Sequence, residues 1–385
     1  MNPPVLTNLF ARLLEQVRTN DKPTPVSASV DTRFYTDQSW FEKELASVIQ
    51  SQPLIVGHTS MLKKSGDQFV HDHTGKPIIV VRGKDDTIRA FLNVCRHRGV
   101  RLANGEGVFN RPSFVCPYHN WVYDLEGNLS NVPLQEECFP DLDVTCHSLK
   151  ELSLEICEGL IFVSLDPERA LDIDAHMGGI QKELAAFNSA DHVFFRESVT
   201  VKKTNWKLII EAFLDGYHVA RLHRKTVGPM FMDSVSMCQR VDNHALSVVA
   251  RKEFEQALQL EPEQWDLRHH ASCAFYIFPN TEIIIHPDYI SYLSLFPTAV
   301  DETIVVHGCL INEEPKDEKA RAHWERAFDI IENGVFQAED LFVCEQAQLG
   351  MSSGANKELL FGTYEMPIMD FHQILADTMG AYKPE

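Results

Sequence analysis

The chain has 385 residues, enough for two or three domains with substantial cores, and its apolar fraction of 44% is ordinary for a globular protein. A formal charge of −20 argues against nucleic acid or an anionic membrane as a partner and leaves a basic protein partner admissible. Nothing approaches the roughly 18 consecutive apolar residues of a membrane span, and Arg12 and Glu15 interrupt the stretch that a signal peptide would need.

Residues 5–18 carry Leu6, Phe10, Leu13, Leu14 and Val17 at helical spacing, which predicts an amphipathic helix ended by the prolines after Lys22. A second helix is expected over 38–50. From 54 to about 165 the pattern changes to short β-type runs between turns: PIIVVRG at 77–83, IRAFLNV at 88–94, FVCP at 114–117 and LIFVSL at 160–165. That alternation predicts a small antiparallel β domain. After Pro167 the order is a helix near 172–189, the strand FFRESVTVKKT and a long helical segment from Trp206. The β runs AFYIFPN, TEIIIHP, YISYLSLFP and TIVVHGCLI follow, then a helical region over 316–349 and a helix near Pro367. An antiparallel sheet flanked by helices accounts for this order most economically. The expected division is therefore a helical segment over 1–50 packing on the last domain, a β domain over 51–166, and an α+β domain over 167–385.

Two Cys-His pairs carry the first chemical signal. Cys95-Arg96-His97 and Cys116-Pro117-Tyr118-His119 are separated by eighteen residues and alternate thiol with imidazole. Each pair follows a strand-like run and sits at a turn. Two Cys on one iron and two His on the other is the Rieske [2Fe–2S] arrangement, whose His ligands raise the reduction potential. A structural zinc is the alternative, but zinc modules usually bring Cys in as C-x-x-C knuckles, and none is present. The remaining thiols, Cys138, Cys146, Cys157, Cys238, Cys273, Cys309 and Cys344, are odd in number and scattered, as expected for reduced cysteines in a cytoplasmic protein.

The second signal lies in NWKLIIEAFLDGYHVARLH at 205–223. His218 and His223 are five apart, about 140° round an ideal helix, and share a face only if the helix bends or ends, with Gly216 the weak point. Asp215 and His218 are i,i+3 neighbours, and Glu211 lies on the same stripe. A satisfied core histidine beside a solvated acidic edge is the plainer reading. Two His and one carboxylate with open positions form the non-haem Fe(II) facial triad. The segment VFQAEDLFVCEQAQLGM offers Glu339, Asp340 and Glu345. Asp340 shares a stripe with Phe336, Val343, Cys344 and Ala347, so it is the preferred ligand, with Glu339 and Glu345 as alternatives.

These motifs resemble, in order and over nearly the whole chain, the large (alpha) subunit of Rieske non-haem iron oxygenases, the ring-hydroxylating oxygenase family. The resemblance implies an α+β fold, in which an antiparallel β Rieske domain precedes a START-like helix-grip catalytic domain. It implies a [2Fe–2S] cluster with Cys95 and Cys116 on one iron and His97 and His119 on the other, and a mononuclear Fe(II) held by His218, His223 and Asp340. Asp215 matches the family's acid that links a Rieske histidine, here His119, of one subunit to His218 of its neighbour, so a homotrimer is implied. The implied activity is that of a terminal oxygenase. It would use O₂ and electrons from NAD(P)H, passed by a flavin or iron–sulfur reductase with or without a ferredoxin, to hydroxylate a small aromatic substrate. An N- or O-demethylating monooxygenase, acting on a quaternary amine or methyl ether, is the alternative, and a non-catalytic electron carrier a distant third. Three departures stand out. The gap between the Cys-His pairs is long for the family, Ala212 replaces an Asn of naphthalene-dioxygenase-like members, and the chain is shorter than alpha subunits that pair with a beta subunit.

For the pocket, runs 275–279, 283–286 and 292–296 are expected around the iron, with Phe213, Met230 and Phe231 at the entrance.

Overall fold

The computed structural model describes residues 3–380. The chain forms two compact units, one over Gln50–His176 and a larger one from the residues up to Ile49 and from Met177 onward. In the smaller unit a five-stranded sheet and two three-stranded sheets pair entirely antiparallel. Their core is apolar: Ile79, Val81, Phe91, Phe114, Trp121 and Tyr123 pack with the thiols of Cys95 and Cys116. The expected β runs are all strands here, trimmed by a residue or more at their ends.

The larger unit is built on a seven-stranded antiparallel sheet. Its strands follow the spatial order Val193–Lys202, Glu302–Ile311, Tyr289–Ala299, Thr281–Ile285, Ala271–Ile277, His244–Arg251, Phe231–Val241. The last two strands are not apparent in the sequence. FMDSVSMCQRV is half-exposed along its whole length and carries polar residues where a core strand would carry apolar ones.

The N-terminal helix Pro4–Thr19 buries Leu6, Leu9, Phe10, Leu13 and Leu14. Its first turn is tied down by Glu183, whose carboxylate accepts from the amides of Val5 (3.0 Å) and Leu6 (2.9 Å), groups that no helix can satisfy internally. Further along, Ala28–Asp31 pairs antiparallel with Glu358–Phe361, joining the two ends of the unit.

The segment after Thr204 is not one long helix. Asn205 caps Trp206–Leu214 by accepting from Lys207 N, and the helix stops at Asp215, whose backbone is extended. A short helix, Val219–Leu222, follows the break. Lys207 and Glu44, both fully buried, meet at 2.7 Å. Glu44 also accepts from the indole N–H of Trp40 (2.8 Å) and of Trp206 (3.3 Å), so the charge that burial would penalise has three donors. Burial holds the Lys207 ammonium below its ordinary pKa despite that partner. Glu211 is paired as well, accepting from Tyr35 Oη at 2.8 Å and lying 2.9 Å from His372 Nε2.

The region after Glu318 departs from a single α-helix too. An α-helix over Glu318–Asp329 widens into a π-helix over Ile330–Asp340, then narrows again over Leu341–Ser352. The widening shifts the buried stripe: Asp340, Cys344, Gln348 and Met351 face inward, and Ala347, expected there from ideal α spacing, is exposed.

Candidate metal centres

Two loops of the smaller unit present the Cys-His pairs, and they share one backbone pattern. Cys95 N donates to Val100 O (2.8 Å) while Gly99 N donates to Cys95 O (3.0 Å); Cys116 N donates to Trp121 O (2.8 Å) while Asn120 N donates to Cys116 O (3.0 Å). Each loop turns at a left-handed residue, Gly99 with φ 77° and Asn120 with φ 55°. Asn93, fully buried, closes the base of the first loop by accepting from Leu102 N and Ala103 N and donating to Ala103 O.

The side chains converge. Both thiols are buried, and the rings of His97 and His119 lie 4.6 Å apart. His97 stacks on Trp121 at 4.7 Å, and His119 on Tyr118 at 3.8 Å. The Nδ1 atoms of His97 and His119 are buried with no hydrogen-bond partner among the described residues. Orphaned buried nitrogens are costly, and two of them beside two thiols are the donor set a Rieske cluster requires. Burial, then His119 and Arg98, lowers the His97 pKa and keeps the ring neutral, as ligation needs. Burial chiefly, with Cys95 beside it, pushes the Cys116 thiol up against the pull of the Tyr118 and His119 amides. Tyr123 Oη accepts from Arg96 N at 2.9 Å, so its own proton is free for Cys95 Sγ at 3.4 Å.

In the larger unit the helix break brings His218 and His223 together, which an unbroken helix could not. Their Nε2 atoms are 3.2 Å apart. Asp340 Oδ1, from the end of the π-helix, lies 3.5 Å from His218 Nε2 and 3.2 Å from His223 Nε2. These three offer mutually close donor atoms, a set that fits ferrous iron with positions left open. Gly216 is required at the break, because a Cβ there would sit 2.1 Å from Ser236 Oγ.

The other two candidate acids are elsewhere. Glu345 binds Lys203 N (2.9 Å) and faces Lys202 Nζ. Glu339 accepts from His223 Nδ1 at 2.7 Å and from Thr226 Oγ1 at 2.6 Å, which leaves the His223 Nε2 lone pair for a metal. Sequence spacing missed that role, since Glu339 lies off the α-helical stripe and becomes a partner of His223 through the π-helix. Burial disfavours the His223 cation, but Asp340 and Glu339 outweigh it and the net shift is upward. Asp215 Oδ2 stands 3.4 Å from His218 Nδ1.

The triad opens on a cavity of about 790 Å³. Phe213, Met230 and Phe231 line it, as expected. Of the β runs expected there only Ile284 and His286 do, because alternate residues point to the sheet's other face. Ser236, Ser247 and Arg251 complete that wall from the two strands not foreseen, and Ser272 from the start of Ala271–Ile277.

Residues 52–150 match the family model of the Rieske [2Fe-2S] domain, and residues 189–381 that of the ring hydroxylating alpha subunit (catalytic domain). The chain is 31% identical to the carnitine monooxygenase oxygenase subunit of Escherichia coli (strain K12) over 366 residues, covering 90% of this chain and 93% of that one. It is 36% identical to the benzene 1,2-dioxygenase subunit alpha of Pseudomonas putida over 200 residues, 49% of this chain and 43% of the other. Among solved structures, a quaternary ammonium Rieske monooxygenase in complex with L-carnitine superposes with a TM-score of 0.78 at 22% identity, covering 98% of this chain and 99% of that one. Naphthalene 1,2-dioxygenase from Rhodococcus sp. gives 0.76 at 20% identity, with complete coverage of both. The fold and the two donor sets thus define a two-centre iron oxygenase, and the chain belongs to the ring-hydroxylating alpha-subunit family of Rieske oxygenases. It is a terminal oxygenase whose cofactors are a Rieske [2Fe–2S] cluster and a mononuclear non-haem iron. Among the described residues no helix is long and apolar enough to cross a membrane.

Proposed function

We propose that Cys95, Cys116, His97 and His119 hold the cluster, that His218, His223 and Asp340 hold the mononuclear iron, and that the cavity beside them receives the substrate. When bound, the cluster supplies single electrons and the iron supplies open positions for O₂. The observation that carries this reading is the meeting of two Nε2 atoms and one carboxylate oxygen within 3.2–3.5 Å at the cavity wall. Glu339 fixes the tautomer of His223 and Asp215 orients His218. Apolar side chains such as Val219, Ile331 and Phe336 keep water from the site.

Asp215 also faces the neighbouring subunit's His119 in a head-to-tail homotrimer, working in the cytoplasm with an NAD(P)H-dependent flavin or iron–sulfur reductase. Replacing it tests this: Asp215→Ala should keep the cluster spectrum and lose turnover, whereas full activity sinks the bridge.

The substrate is a small, mainly apolar molecule, an aromatic ring that is hydroxylated. Arg251 lines the cavity with Glu253 as its nearest acid at 3.8 Å, which favours an acidic substituent. A second reading, oxidative demethylation of a quaternary amine, is supported by similarity to carnitine monooxygenase subunits along most of the chain. Tyr364 and Asp370, which also line the cavity, are a ring and an acid that attract cations and support it too. Substrate-dependent O₂ uptake with a generic reductase, screened over aromatic acids, polycyclic aromatics and quaternary amines, separates the two. Uptake with quaternary amines alone overturns the aromatic reading.

A further inference from the structure

A row of polar side chains that no metal centre uses crosses the sheet of the larger unit. His286 lines the cavity, and its Nε2 lies 3.2 Å from Ser291 Oγ. Ser291 Oγ is 3.0 Å from His307 Nε2, and His307 Nδ1 is 2.7 Å from Glu332 Oε2. Ser291, His307 and Glu332 are 0%, 2% and 4% exposed. At the far end Gln337 Nε2 donates to Glu332 Oε1 (2.9 Å) and to Thr200 Oγ1 (3.0 Å) on the half-exposed edge strand Val193–Lys202. Phe328 stacks on His307 at 4.8 Å and Phe336 meets its edge at 5.0 Å, which holds the ring in the row. A buried ionisable pair adds little net stability over apolar residues of the same shape, so packing alone does not call for this row.

We propose that Glu332, His307, Ser291 and His286 form a proton path from the sheet edge to the substrate cavity. The proposal rests on the reading that O₂ is reduced in that cavity. The overall reaction RH + O₂ + 2e⁻ + 2H⁺ → ROH + H₂O, with electrons from NAD(P)H through the reductase, consumes two protons behind apolar walls. In one shift Glu332 gives its proton to His307 Nδ1. The His307 Nε2 proton moves to Ser291, the Ser291 proton to His286 Nε2, and His286 releases its Nδ1 proton into the cavity. Glu332 is left ionised and is protonated again from the edge, and between shifts each ring turns to point its protonated nitrogen onward, His307 toward Ser291 and His286 toward the cavity. His286 Nδ1 has no hydrogen-bond partner among the described residues, which leaves it free for the cavity. Burial first, then His307, Arg251 and Arg268, pushes the His286 pKa down to about 3, so the ring is neutral as a relay requires. Burial would raise the Glu332 carboxyl, but His307, with hydrogen bonds from Ser198 and Gln337, more than offsets it, so the resting end of the row is ionised.

Ser291→Ala and Glu332→Gln each interrupt the row while leaving its packing in place. Both should lower kcat on the order of 100-fold, at the low end for a lost positioned proton transfer, with little change in KM and a larger solvent isotope effect. A readout without iron comes from ¹⁵N spectra of the histidines in the metal-free protein. At rest His307 should carry its proton on Nδ1 and His286 on Nε2, and Ser291→Ala should abolish the preference at His286. Unchanged kcat and isotope effect in folded, iron-loaded variants overturn the path, as does His307 protonated on Nε2 in the unaltered protein. If the unaltered enzyme oxygenates no substrate, the reading of the cavity fails instead.

Discussion

In the smaller unit four candidate donors come from two loops that repeat the same pair of backbone hydrogen bonds. In the larger unit the donors come from a broken helix and a π-helix, and the bond from His223 to Glu339 spans 116 residues. The first centre is set by turn chemistry within a few residues of each ligand. The second exists only when distant elements dock, and its acid arrives through a helix whose turns are wider than α. Damage to the first should therefore be local and additive, and damage to the second should spread along its supports.

The largest expected effect is that of Asp340→Ala. Iron analysis should fall from about three to about two irons per chain, with turnover lost and the cluster's visible spectrum intact. Loss of that spectrum as well would break the contrast. Glu44→Ala leaves Lys207 buried without its partner and should cost about 3–5 kcal/mol. In thermal melts the larger unit should unfold first while the cluster chromophore persists; a single shared transition would show that the units are not independent. Glu339→Gln weakens the hold on His223 and should lower mononuclear iron affinity by roughly 10–100-fold, read by metal titration. Gly99→Ala is the mildest change. Beyond its two chain neighbours, no described atom lies within 4 Å of the added Cβ, so only the left-handed backbone resists it, at about 1–2 kcal/mol, checked by urea denaturation. A much greater loss would mean that the cluster loop depends on more than its turn.

The same contrast explains what could be read from the sequence. The Cys-His pairs were legible because ligands, turn and flanking strands all fall within a dozen residues. The helix break was legible only as a condition: the sequence reads as one long helix from Trp206, and His218 and His223 five apart share a face only if that helix bends or ends. Asp340 emerged from α-helical spacing, but Ala347 on the same stripe is exposed, because the π-turns up to Asp340 rotate the helix beyond them. Glu339 and the row from Glu332 to His286 left no local signature: Ser291 and His307 sit in strands whose alternation reads as ordinary core. Arg251 was missed with its strand, and Phe231–Val241 was missed because polar residues such as the cavity-lining Ser236 hide the apolar period.

The smaller unit is one unbroken stretch of chain, inserted in sequence between the two parts of the larger unit, which join through Ala28–Asp31 and Glu358–Phe361. Synthesis therefore treats them differently. At about 5–20 residues per second, the cluster loops can close on the ribosome on the order of ten seconds before Asp340 is made. The Rieske unit can take its cluster while the catalytic unit still lacks a candidate ligand and the strand that pairs with Ala28–Asp31.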